Sequence, residues 1–223
     1  MKPFERLAEA VAPDGTRLVL FRHDGAYTIR VDGVELMSTR RHASEDALAT
    51  LGCAGLETRA GAHVLIGGLG LGFTLRAALS VLAADARVTV AELLPEVIRW
   101  NGEPAWGIAT EALADPRTTV HAGDVGALLR EAEGAYDAIL LDVDNGAAAM
   151  TTRGNAALYR DAGVRAAIRA LRAGGRLAWW AATPEPAFVR VLRRNGLEVA
   201  THEVRARDGG KGPVHVVYTA TPH

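Results

Sequence analysis

Apolar and polar positions change their period near residue 62, and the change predicts two kinds of structure in one chain. Before it, the runs 17–21 (Arg-Leu-Val-Leu-Phe), 27–31 and 34–37 are short and separated by Asp24-Gly25 and Asp32-Gly33. Asp-Gly supplies the positive φ of a tight hairpin turn, so residues 1–43 read as an antiparallel β element. Ser44 precedes the acidic pair Glu45-Asp46 and the apolar Ala47, Leu48 and Leu51, which predicts a helix capped by Ser44 with an acidic first turn. From residue 63 the pattern becomes strand, helix, strand, helix. Strands are predicted at 63–67, 87–91, 118–121, 137–142 and 176–182, and helices at 72–84, 95–101, 125–132 and 155–172, the last stopped by Gly174-Gly175. A helix over 184–195 follows, then strands at 197–204 and 214–221 joined by the glycine-rich loop 207–212.

Short, wholly apolar strands alternating with helices make residues 44–223 an α/β domain with a doubly wound, Rossmann-like parallel sheet. The last two strands pair antiparallel across their glycine-rich loop, the arrangement of a class I methyltransferase-like sheet.

Composition narrows the partners. The chain has 223 residues, 49% of them apolar, enough for one sizeable core. A net charge of -1 and a pI near 6.7 give no overall field for nucleic acid or an anionic membrane surface. The single cysteine, Cys53, forms no internal disulfide, and the seven histidines lack metal-ligand spacing, so no metal is expected. Charges occupy the first residues where a secretory apolar core would sit, and no apolar run approaches the roughly 18 residues of a membrane span. A cytoplasmic location is expected.

The candidate chemistry starts at Ile66-Gly-Gly-Leu-Gly-Leu-Gly-Phe73, where the first apolar strand breaks into a glycine turn and resumes as a helix. Gly68, Gly70 and Gly72 are spaced G-x-G-x-G, and Phe73 occupies the place where a dinucleotide fingerprint needs a third glycine. That spacing argues against NAD and for S-adenosylmethionine or a close relative. The plainer reading is a tight turn without a ligand. Three acids fall at predicted strand ends, where ligands of such sheets bind. Glu92 could accept both ribose hydroxyls or be an ordinary exposed strand-end acid. Asp124 could accept from an adenine amine, cap the helix at Val125, or do both. Asp142 ends an apolar run, which suits a general base or amine-orienting group; alternatively it is a structural acid bonding the next loop. Arg40, Arg41 and His42 suit an anionic group or form a solvated patch. Trp100 and Trp179-Trp180 could stack on adenine, line an acceptor pocket, or be core.

In their order and spacing these motifs resemble the spermidine synthase family, the polyamine aminopropyltransferases. The resemblance runs through the β element, Ser44-Glu45 at the place of a Tyr-His-Glu type motif, the glycine turn leading into Thr74-Leu75-Arg76, then Glu92, Gly123-Asp124, and Tyr136-Asp137 to Asp142. It implies that the matching acids hold the nucleoside of decarboxylated S-adenosylmethionine and that Asp142 helps deprotonate the attacking amine. It also suggests a homodimer formed through the amino-terminal strands. Three departures weigh against polyamine synthesis. Leu71 stands where the family's glycine turn carries an aspartate for the aminopropyl amine, Asp142 and Asp144 are one residue closer than the family's pair, and Ala43 replaces the motif's tyrosine. An unpaired buried ammonium costs several kcal/mol, so a diamine acceptor needs carboxylates at both ends.

The expectation is an S-adenosylmethionine-dependent transferase, read first as a small-molecule methyltransferase. Gly68, Gly70, Gly72, Glu92, Asp124 and Asp142 would bind the cofactor, and Asp142, Glu45 and Asp144 would face the acceptor. The alternatives are a polyamine aminopropyltransferase using decarboxylated S-adenosylmethionine and a non-catalytic nucleoside-binding protein.

Overall fold

The computed structural model describes residues 3–143, 155–207, 209 and 211–223. Four strands, β1 (Glu5–Val11), β2 (Arg17–His23), β3 (Ala26–Val31) and β4 (Val34–Ser38), form an antiparallel sheet in sequence order. The predicted Asp-Gly turns join β2 to β3 and β3 to β4, and Asp24 and Asp32 themselves take positive φ. Strand β1 was not expected from its weak alternation. Its pairing with β2, reinforced by the Glu5–Arg22 and Glu9–Arg17 ion pairs, is what makes it a strand.

The rest follows as α1 (Ala43–Gly52), β5 (His63–Gly67), α2 (Phe73–Val81), β6 (Arg87–Glu92), α3 (Pro95–Gly102), α4 (Thr110–Ala114), β7 (Thr118–Ala122), α5 (Val125–Glu131) and β8 (Tyr136–Leu141). After a 3-10 turn at Asn155–Tyr159 come α6 (Asp161–Ala170), β9 (Leu171–Ala181), α7 (Pro186–Arg194), β10 (Leu197–Arg207) and β11 (Lys211–Pro222). The large sheet has the order β10-β11-β9-β8-β5-β6-β7, with β11 antiparallel to both neighbours and the strands from β9 to β7 mutually parallel. This is the doubly wound sheet the pattern implied.

Two local expectations are corrected. Helix α1 begins at Ala43 with His42 at its cap position, which places Ser44 inside the first turn and fully buried, where its hydroxyl serves other side chains. The segment 155–172 is a 3-10 turn and a separate helix ending at Ala170, and Gly174-Gly175 lies within β9. Leu171 already pairs with Tyr136, so strand formation ends the helix before the glycines are reached.

Apolar clusters cover both faces of the large sheet, one against α5, α6 and α7 and the other against α1 and α2. A third ties the small sheet to the second unit: Leu18, Leu20, Ile29 and Val31 pack with Leu71 and Phe73 beside the glycine turn and with Val97 and Trp100 of α3. The small sheet is thereby fixed over the carboxyl ends of β5, β6 and β8.

Candidate functional site

Register brings the site together. Gly67 at the end of β5 lies opposite Ala91 of β6 on one side and Leu141 of β8 on the other, so Gly68, Glu92 and Asp142 leave the sheet side by side. Two backbone bonds hold the three ends: Gly68 N–H donates to Ala91 O and Asp142 N–H to Gly67 O, each at 2.8 Å. A Cβ on Gly68, whose φ is +91°, would lie 2.3 Å from the Asp142 carbonyl oxygen, so the first glycine answers to the neighbouring strand as well as to any ligand. Gly72 caps α2 with a positive φ and faces Ala109, where a Cβ would meet the methyl at 2.4 Å; it lines neither cavity described below.

Glu92 is buried, not the exposed strand-end acid that its position alone allowed. Its two carboxylate oxygens accept the N–H groups of Leu69, at 3.0 Å, and Leu94, at 2.9 Å. Burial pushes its pKa up while these backbone donors pull it down. Each oxygen keeps lone-pair capacity for a further donor. Asp124 caps α5, accepting from Gly126 N–H at 2.8 Å, with Arg130 at 3.4 Å. Glu92, Asp124, Gly68, Gly70 and Asp142 line a cavity of about 80 Å³ closed by Leu36 and Met37 of β4.

A second cavity of about 270 Å³ shares Gly70, Met37 and Asp142 with the first and extends past Glu45, Arg41, Leu71, Trp180 and His215. Asp142 accepts the Thr74 hydroxyl at 2.6 Å, and burial raises its pKa to about 6 against that bond. Glu45 accepts the Ser44 hydroxyl at 2.5 Å, and burial, with Asp142 nearby, raises its pKa to about 7. Arg41 is ion-paired with Glu35 on β4, and Arg40 donates to the carbonyls of His23 and Asp24. His42 pairs with Asp46 at 2.6 Å and stacks on Phe73. The basic stretch is therefore occupied by the protein's own acceptors. Trp100 and Trp179 are core, and Trp180 lines the second cavity beside His215.

Of the expected residues, the fold unites Glu45, Glu92, Asp124, Asp142, Gly68 and Gly70; Asp144 lies outside the described residues. The pattern along the chain gave no role to Thr74, Asn101 or His215, and gave the Ser44 hydroxyl a helix cap in place of its bonds to Glu45 and His215. Thr74 is a polar position inside the apolar run Phe73 to Leu75, which is a readable signal. Fully buried Asn101 donates to Gly70 O at 2.8 Å and Val97 O at 2.9 Å, tying the glycine turn to α3 in a way no local pattern reveals.

No family model matches the chain, and no curated protein matches it in sequence. Solved structures do match. A spermidine synthase in complex with the transition-state analogue AdoDATO superposes with TM-score 0.73 at 17% identity, covering 98% of this chain and 72% of that one. Spermidine synthase from Thermotoga maritima gives TM-score 0.74 at 16% identity over the same shares. The chain thus has the spermidine synthase-like fold, a Rossmann-like methyltransferase-type sheet with a small antiparallel sheet before it.

Proposed function

We propose that this protein is a transferase that moves an aminopropyl group from decarboxylated S-adenosylmethionine to a small amine acceptor. The observation that carries the reading is the charge balance of the second cavity. Its charged lining is Glu35, Arg41, Glu45 and Asp142; Arg41 is neutralised by Glu35, while the side-chain donors to Glu45 and Asp142 among the described residues are the neutral hydroxyls of Ser44 and Thr74. Two half-buried carboxylates without a cationic partner among the described residues favour a cationic ligand, because an uncompensated buried charge is costly. A donor with a carboxylate would add a third anion there. The decarboxylated donor brings a sulfonium and an ammonium instead, and a solved relative by fold carries an analogue named AdoDATO.

The residues fit such a donor in kind. Glu92 and Asp124 offer acceptor oxygens for nucleoside hydroxyl and amine groups, and Gly68 and Gly70 leave backbone open between them. When bound, the sulfonium supplies an activated carbon. Asp142 takes the proton that the acceptor ammonium must lose, orients the free amine, and is suited to this by a pKa of about 6. The carbon–nitrogen bond forms as the carbon–sulfur bond breaks, with its electron pair passing to sulfur.

Leu71 favours a second reading, methyl transfer from S-adenosylmethionine. It is buried, lines the same cavity, and stands where the resembled family has an aspartate for the aminopropyl amine. Calorimetry with both donors, followed by mass analysis of amine products, separates the two. The proposal expects tighter binding of the decarboxylated donor and release of the methylthio-nucleoside that remains when its aminopropyl group departs. Preference for the carboxylated donor with a methylated product would overturn it.

A further inference from the structure

The fold joins Glu45 in a hydrogen-bond chain with Ser44 and His215, two residues that the proposed mechanism does not use. Ser44 Oγ lies 2.5 Å from Glu45 Oε2 and 2.8 Å from His215 Nδ1, linking the first turn of α1 to β11 across 171 residues of sequence. Ser44 is fully buried, so its one proton has these two partners to choose between. Both ends line the second cavity.

We propose that His215, Ser44 and Glu45 form a proton relay along the wall of the second cavity, moving a proton from Glu45, beside Asp142, to the His215 ring. The chain has two polarities. With Glu45 protonated, Oε2–H donates to Ser44 Oγ, the Ser44 hydroxyl donates to Nδ1, and the neutral imidazole carries its proton on Nε2. A concerted shift moves the Glu45 proton to Ser44 and the Ser44 proton to Nδ1, and the Nε2 proton leaves to water. Glu45 is then ionised, while Ser44 and the imidazole are neutral as before, with the ring proton on Nδ1. One proton has left, and no atom is left uncompensated. Exchange of the ring with water restores the first tautomer.

The surroundings fit these roles. Asp142 faces Glu45 from the end of β8, Asp46 lies on its own helix, and no cation pairs with it among the described residues; burial and Asp142 hold it near neutrality. Arg41 faces His215, and together with burial it keeps the imidazole pKa below its usual value, so the ring is neutral while Glu45 titrates. Trp180 packs edge-on against the ring, with centroids 4.8 Å apart, and restricts its rotation. The relay rests on the transfer reading only for the source of its proton. Asp142 frees the nucleophile, and Glu45 passes the proton on through Ser44 to His215, away from the Asp142 end of the cavity. Ser44 and His215 act through Glu45 and are positioning residues.

The test reads the ring directly. Nitrogen NMR of His215, assigned through His215→Gln, is followed from about pH 6 to about pH 8 in the full chain. The relay expects the two ring nitrogens to exchange protonated and unprotonated signatures as Glu45 ionises, and expects Glu45→Gln and Ser44→Ala each to abolish that exchange. A ring that keeps one tautomer throughout in the wild type, or that still switches in Ser44→Ala, would overturn the proposal. This readout needs no turnover, so it stands apart from the transfer reading. With an active acceptor in hand, Ser44→Ala should lower kcat at least tenfold without changing donor affinity, and added imidazole should restore a His215→Ala variant but not Ser44→Ala. Equal losses of kcat and donor affinity would count against the relay.

Discussion

Thr74 on the first turn of α2 donates its hydroxyl to Asp142 Oδ2 across 2.6 Å, joining the helix that follows the glycine turn to the acid that ends β8. This bond opposes the burial that raises the Asp142 pKa. Replacing Thr74 by Val keeps the volume and removes the donor. The Asp142 carboxyl should then titrate about one unit higher, the equivalent of a charge-assisted hydrogen bond. Carbon NMR of the carboxyl group checks the shift, and any rate–pH profile should move its acid limb the same way.

Glu45 and Asp142 have folded pKa values above those of free carboxylates, at about 7 and about 6. The folded chain therefore holds more protons than the unfolded chain between the ordinary carboxylate range and neutrality, and stability falls as pH rises through that window. Glu45→Gln escapes this loss. It should be more stable than the wild type by about 2 kcal/mol at about pH 8, with the gap closing near pH 4, as judged by denaturant unfolding at each pH.

Gly68 cannot accept a side chain without moving Asp142. A methyl would lie 2.3 Å from the Asp142 carbonyl oxygen at a φ of +91°. Gly68→Ala should destabilise the fold by at least about 2 kcal/mol and weaken nucleoside binding together with it. Thermal unfolding and calorimetry on the same sample test whether the two losses appear together.

Glu92 satisfies two N–H groups at the mouth of the small cavity. Glu92→Ala leaves both without their acceptor, so about 2 kcal/mol or more of stability should be lost along with nucleoside affinity. Unchanged affinity in the folded variant would remove Glu92 from the nucleoside site.

Asp137 provides the contrast. Arg59 and Arg172 pair with its buried carboxylate at 2.8 Å and 2.6 Å, and His63 N–H donates at 2.7 Å, all at the start of β8 and away from both cavities. Asp137→Ala takes the acceptor from His63 N–H and the anion from two part-exposed arginines, and should cost about 1 to 3 kcal/mol in unfolding measurements, while donor affinity of the folded fraction stays unchanged.

The amino-acid pattern by itself determined the alternation of strands and helices from residue 63, the Asp-Gly hairpins, the glycine turn and the three acids at strand ends. Each depends on periodicity or turn chemistry within a few residues. The Ser44 cap and the helix stop at Gly174-Gly175 failed because the chain had stronger partners elsewhere: His215 and Glu45 for the serine hydroxyl, and Tyr136 for Leu171. Only the tertiary structure decided that Glu92 holds the glycine turn, that Arg41 is spent on Glu35, and that Glu45 and Asp142 share a cavity with no cationic partner of their own among the described residues. Those facts depend on register across β5, β6 and β8 and on the small sheet seated over their ends, relationships between residues far apart in sequence. Charge balance in a cavity belongs to the assembled walls, and no single segment carries it.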